Sequence, residues 1–227
     1  MDKKQKASKI AQAFLQNYPS PKTELRFENE MQLVIAVVLS AQTTDKKVNQ
    51  VTKELFKKYL TWEDFAHAEI PQLETDIYGV NFHKTKAKRI KDLASKILTD
   101  FQGNVPKTMI SLLTLPGIAR KTANVIVQEL WDIAEGIVVD THATRVCNRL
   151  GLVSTTNAVK IEKELMEMLP QKFWRNFSGA IVLHGRYVCT AKNPKCEKCY
   201  LKEFCDFFNN NPAHGTATNP PRLSPNS

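Results

Sequence analysis

Four of the five cysteines crowd between Cys189 and Cys205, in the spacing Cys189-x6-Cys196-x2-Cys199-x5-Cys205. Four thiolates this close in sequence can surround one metal centre, and zinc and iron–sulfur clusters both accept four cysteine ligands. A zinc ribbon usually shows two separated C-x2-C pairs, and here only Cys196 and Cys199 form such a pair. One compact loop wrapped around a cube-shaped 4Fe-4S cluster explains the spacing better, although spacing alone does not identify the metal. Lys192, Lys195, Lys198 and Lys202 interleave with the cysteines, and Arg186 precedes them. Those cations either offset the negative charge of a thiolate-ligated cluster or present a phosphate-binding face. Cys147 stands apart and reads as buried packing.

A second candidate is the stretch LPGIARKTANV, Leu115 to Val125. Pro116 presets its own φ, and Gly117 is free to take φ > 0, so the pair makes a tight turn between two helices. A helix ending near Leu113 and another beginning near Arg120 leave the second helix's first amides pointing outward at the positive end of its dipole. That arrangement suits a phosphate and touches the nucleic-acid backbone without reading bases. Lys121 falls in the first turn, where an amine can act as a nucleophile and form a Schiff base. Alone, such a lysine is more often a solvated surface residue. Asp140, in VDTHATRVCNRL, is an N-cap for the helix that follows and a carboxylate available for proton transfer.

These residues must be positioned by helices. MQLVIAVVLSAQ suits a buried helix, and DKKVNQVTKELFKKYL places Val48, Val51, Leu55, Phe56 and Tyr59 at helical spacing. Thr61 and Asp64 form a capping-box pattern, and KTKAKRIKDLASKILTDFQG is amphipathic and closes on Gly103. No strand alternation and no repeat is legible, so the fold class is all-α. The length of 227 residues allows one large domain or two small ones. A net charge of +9 points to a polyanionic partner, nucleic acid before an anionic membrane. No apolar run approaches the roughly 18 residues of a membrane helix, and the first residues lack a secretory pattern. A cytoplasmic, reducing location is the default expectation.

LPGIARKTANV, then VDTHATRVCNRLGLV, then LHGRYVC and the cysteine spacing together resemble endonuclease III, the iron–sulfur DNA glycosylase/AP lyase family of the helix-hairpin-helix superfamily. The resemblance runs from about Met31 to Cys205. It implies a two-lobed helix-hairpin-helix DNA glycosylase fold, with a six-helix barrel lobe at 25–134. Residues 1–24 and 135–208 would form a 4Fe-4S cluster lobe, and 209–227 a disordered tail. It further implies that Lys121 attacks C1′ of a damaged nucleotide, that Asp140 is the catalytic aspartate, and that Cys189, Cys196, Cys199 and Cys205 are the cluster ligands. Gln42 would fill the gap left by a flipped nucleotide. The remaining DNA contacts would come from Phe82 or His83, the hairpin residues Leu115, Gly117, Ile118, Ala119 and Arg120, and from His142, Arg186 and Lys192. The backbone carbonyls of Leu113, Leu115 and Ile118 match a site for Na⁺ or K⁺. The implied activity is removal of oxidised pyrimidines from damaged double-stranded DNA by a monomer, in base excision repair, with the DNA nicked by β-elimination. Adenine and thymine-mismatch glycosylases of the same superfamily lack the lysine that stands here at position 121.

The sequence departs from the family pattern twice. Ala119 stands where the hairpin usually has a second glycine. If that position needs φ > 0, alanine costs roughly 1 kcal/mol; if it is helical, alanine is harmless. Asn81 stands where a glycine often precedes the wedge residue, and asparagine tolerates the left-handed region better than most.

Overall fold

The computed structural model describes residues 1–210. Among them the regular structure is helical, with no strand. Most of the expected tail, 209–227, lies outside the described residues, and Asn209 closes a short terminal helix. The chain divides into two compact units. One is Lys22–Glu135; the other joins Met1–Pro21 to the described residues from Gly136 onward.

In the first unit, α2 (Glu30–Ser40) is apolar on every side, and Leu33, Val34, Ile35, Ala36 and Leu39 are wholly buried. Each such side chain contributes about 1.5–3 kcal/mol of burial for the larger residues. A helix apolar all round belongs at the centre of a core, and α2 is contacted by α3 (Asp45–Lys58), α6 (His83–Phe101) and α8 (Arg120–Trp131). α3 and α6 bury one stripe each: Val48 and Leu55 on α3, and Ile90, Leu93, Ala94 and Ile97 on α6. α4 (Trp62–His67) opens on the capping box read from the sequence, with Thr61 and Asp64 exchanging side-chain-to-backbone hydrogen bonds. α5 (Ile70–Asp76) and α4 both lie along α6. α6 ends with two residues in the left-handed region, Gln102 as well as the expected Gly103. A single turn, α7 (Met109–Leu112), leads into the hairpin before α8.

In the second unit, α1 (Lys3–Asn17) is capped by Asp2 and buries Ile10 and Phe14. Phe14 meets Phe177 of α11 (Trp174–Tyr187) edge-on at 5.3 Å. α9 (Thr141–Arg149) runs against α11 at very short range. A Cβ on Gly185 would lie 2.9 Å from His142 Cβ and 3.1 Å from Val146 Cγ2, so only glycine allows the approach. α10 (Ala158–Met168) contacts α1, and α12 (Asp206–Asn209) follows the cysteine loop.

Candidate functional site

The hairpin is built as the sequence proposed. Leu115 and Ile118 point into the core, 3% and 6% exposed, and the Ile118 N–H donates to the Leu115 carbonyl at 3.2 Å. Gly117 adopts φ +80°, and a Cβ there would touch Arg89 Cδ at 3.4 Å and Val38 Cγ1 at 3.5 Å. Only Ala119 departs from both alternatives. It is neither left-handed nor helical but extended, at φ −100° and ψ 171°, and serves as the N-cap of α8 without a side-chain bond. Alanine therefore carries no φ penalty here. Arg120 and Lys121 are exposed in that first turn.

Two other turns project from the same unit. Gln42, just past α2, is exposed and left-handed at φ 55°. The second turn precedes α6, and there the left-handed residues are Gly79 (φ 92°) and Phe82 (φ 58°), not Asn81 as expected. Phe82 is 62% exposed, so it is not a core residue. The Asn81 side-chain amide donates to the Gln42 carbonyl, and the Asn81 N–H to Thr43 Oγ1 at 3.1 Å. Forcing asparagine into the left-handed region would break this tie, so the strained φ moves one residue on. His83 is half-buried and meets the exposed ring of Tyr78 edge-on at 5.4 Å. Tyr78 lies beside Gly79 in the same turn and is 73% exposed. Leu113 caps the end of α7 in helical conformation. The hairpin rests on Val38 and Arg89, which belong to α2 and α6, the helices adjoining the other two turns.

In the second unit, Asp140 is the N-cap of α9, and its Oδ1 accepts from the Ala143 N–H at 2.8 Å. His142 follows in the first turn, half-buried, with Nδ1 3.2 Å from Arg145 Nη2. Arg145 donates onward to the carbonyls of Gly185, at 2.7 Å, and Cys189, at 3.1 Å. Arg149, one turn later, donates to Cys189 Sγ at 3.3 Å and to the carbonyls of Thr190 and Ala191. Its guanidinium also lies 4.7 Å from the centre of the Phe207 ring. Both arginines tie the helix carrying Asp140 and His142 to the start of the cysteine loop. That role was not legible beforehand, because the contacts cross about forty residues of sequence. Arg186 is half-buried near the end of α11, and Lys192 is exposed on the loop.

Cys189, Cys196, Cys199 and Cys205 line one pocket, with Val146, Leu150 and Phe208 as apolar wall. None of the four is in a disulfide. Among the described residues no three His, Cys, Asp or Glu side chains converge as ligands of a single ion. Four cysteines on one pocket match the ligand number and type that a 4Fe-4S cluster takes. Burial pushes the Cys199 thiol up to about 11, and Cys189, Cys205 and Cys196 add repulsion. Four thiolates in this pocket therefore need a polycationic centre between them. His184 Nε2 lies 3.5 Å from Cys199 Sγ and closes one side.

Comparison with known proteins bears on both halves of this description. Residues 35–171 match the HhH-GPD superfamily of base excision DNA repair proteins, and residues 189–205 match the iron–sulfur binding domain of endonuclease III. Endonuclease III of Synechocystis sp. is 42% identical over 203 residues, covering 89% of this chain and 93% of that protein. Endonuclease III of Bacillus subtilis is 40% identical over 189 residues, covering 83% and 86%. The chain belongs to the endonuclease III family. A trapped endonuclease III–DNA covalent intermediate has the same fold, with a TM-score of 0.85 at 36% identity, covering 92% of this chain and 99% of that one. A thermostable thymine-DNA glycosylase shares the fold alone, at 21% identity and a TM-score of 0.80. This member of the endonuclease III family is a base excision repair glycosylase/AP lyase with a 4Fe-4S cluster. No helix among its described residues is long and apolar enough to cross a membrane.

Proposed function

We propose that the chain removes oxidised pyrimidines from damaged double-stranded DNA through a Schiff base at Lys121, and then nicks the strand 3′ to the abasic site. One observation carries this assignment. Lys121 is exposed in the first helical turn behind a Pro-Gly hairpin, in a chain alike over 92% of its length to an endonuclease that forms a covalent intermediate with DNA. The damaged nucleotide is first extruded from the stack. The Lys121 amine attacks C1′, and the base departs with the bonding electron pair and takes up a proton. The nitrogen loses one proton, its lone pair then opens the C1′–O4′ bond as O4′ takes up a proton, and C1′ is held as a protonated imine. Removal of a C2′ proton then lets the C3′–O bond break, releasing the 3′ phosphate.

Asp140 stabilises the positive charge that develops on the sugar and helps to move protons. The hairpin amides grip a phosphate without reading sequence, helped by Leu115, Gly117, Ile118, Ala119 and Arg120. Gln42 and Phe82, with His83 behind it, occupy the space vacated in the duplex. His142, Arg186 and Lys192 face the backbone of the DNA. Backbone carbonyls of Leu113, Leu115 and Ile118 offer a place for Na⁺ or K⁺. Cys189, Cys196, Cys199 and Cys205 hold the cluster, whose iron–thiolate bonds tie the loop into one folded piece. The unit Lys22–Glu135 is the barrel lobe, the other unit is the cluster lobe, and the enzyme works as a monomer in the cytoplasm on nucleoid DNA.

The test is borohydride trapping on an abasic duplex, together with activity on duplexes carrying thymine glycol, dihydrouracil, uracil and adenine opposite 8-oxoguanine. A covalent adduct with the abasic duplex and turnover of the two oxidised pyrimidines is the expected result. Absence of the adduct overturns the lyase assignment.

A further inference from the structure

Lys86 is the one lysine in the amphipathic α6 stretch that is buried, at 3% exposed. Burying an ammonium is costly unless its donors are met. No carboxylate among the described residues pairs with it. Its Nζ donates instead to the Leu39 carbonyl at 2.7 Å, to the Ala41 carbonyl, and to Thr43 Oγ1 at 3.2 Å. These are acceptors at the C-terminal end of α2 and in the turn that carries Gln42. A helix's last carbonyls have no partner of their own and favour a cation. Lys86 therefore serves as the missing C-cap of α2, supplied from another helix. Burial, and then Arg89, pull its pKa down to about 8, yet the amine is sealed from solvent with its donors spent, which separates it from the exposed Lys121.

Thr43 is shared. Its Oγ1 accepts from Lys86 and also from the Asn81 N–H, while the Asn81 side chain reaches the Gln42 carbonyl. The Gln42 turn is thus held from beneath by Lys86 and from the side by Asn81, whose neighbour is Phe82. Both exposed tips, Gln42 and Phe82, stand in left-handed conformations that cost energy unless the surroundings impose them.

We infer that Lys86 and Asn81 are positioning residues that join the Gln42 and Phe82 turns into one rigid, two-pronged element. The element presents both tips to DNA in fixed relative geometry. The inference rests on the proposed DNA-repair reading and adds to it two residues that do not touch DNA. Prongs held this way favour a duplex with a vacated position over an intact one, because ordering cost is met in advance.

The test compares affinity for a duplex with a stable tetrahydrofuran abasic analogue against the same duplex undamaged. Asn81→Ala removes an exposed side chain and leaves the core intact; Lys86→Met keeps the bulk and removes the donors. Asn81→Ala, which loses one hydrogen bond, is expected to lower the preference for the abasic analogue about three- to tenfold, and Lys86→Met, which loses three, by at least as much, with affinity for undamaged duplex unchanged. A double-mutant cycle adds Gln42→Ala: if Asn81 acts through Gln42, the double variant is no worse than Gln42→Ala alone. Unchanged preference in Asn81→Ala, or parallel loss on both duplexes, overturns the positioning role. Should Lys86→Met fail to fold, Asn81→Ala and its cycle decide alone. If the wild-type protein itself shows no preference for the abasic analogue, the functional reading falls, a result distinct from failure of the variants.

Discussion

Asp140 Oδ1 accepts a hydrogen bond from the Ala143 amide at 2.8 Å, so the proposed catalytic carboxylate is also the cap of its own helix. The two roles separate by substitution. Asparagine caps as well as aspartate, so Asp140→Asn is expected to melt within a degree or two of wild type. Without the charge, its single-turnover base-release rate is expected to fall about 10²- to 10⁴-fold. Asp140→Ala loses both, with about 1 kcal/mol of stability gone as well. If Asp140→Asn turns over at the wild-type rate, Asp140 is a cap and nothing more.

Lys121 is exposed in the first turn of α8. Lys121→Ala should leave stability within about 0.5 kcal/mol of wild type while abolishing the borohydride adduct. Arg120→Ala should keep the adduct, bind DNA more weakly, and flatten the slope of log affinity against log salt by about 1. An undiminished adduct in Lys121→Ala would assign the nucleophile elsewhere.

The five cysteines should divide four to one. Alanine at Cys189, Cys196, Cys199 or Cys205 is expected to cost the protein its iron, acid-labile sulfide and visible absorbance. Cys147 is wholly buried in α9, and burial pushes its thiol upward, out of reach of thiolate chemistry. Cys147→Ala should therefore retain the full iron content and lose only about 1 kcal/mol of stability from a small cavity. Metal analysis of the purified variants distinguishes the two groups.

The extended backbone of Ala119 leads to an outcome the hairpin pattern alone does not suggest. Since φ is not left-handed there, Ala119→Gly should change trapping less than twofold, and because glycine is preferred to alanine at an N-cap it should raise stability by roughly 0.5 kcal/mol. Ala119→Ser supplies the missing side-chain cap and should raise stability by about 1 kcal/mol. A thermal melt in which Ala119→Ser is no more stable than wild type would overturn the N-cap reading.

Much of this molecule was legible from residue types and spacing. The hydrophobic period made the chain helical, and Thr61, Asp64 and Asp140 announced their caps because capping depends on neighbours three residues away. Pro116-Gly117 announced its turn for the same reason. The cysteines announced a metal centre because four ligands within one short loop need little help from the rest of the chain.

What the sequence concealed depends on partners far along it. Lys86 reads as another solvated lysine in KTKAKRIK, and only the packing of α6 against α2 puts its ammonium under the Leu39 and Ala41 carbonyls. Asn81 was the obvious residue for the left-handed backbone, but its bonds to Gln42 and Thr43 pass that conformation to Phe82. Arg145 and Arg149 became braces of the cysteine loop only once Gly185 let α9 and α11 meet. The sequence by itself determined the helices, their caps and the chemistry of the exposed groups, since local spacing decides these. Tertiary structure alone decided which polar groups are buried and what they hold, because that follows from contacts between residues about forty or more positions apart.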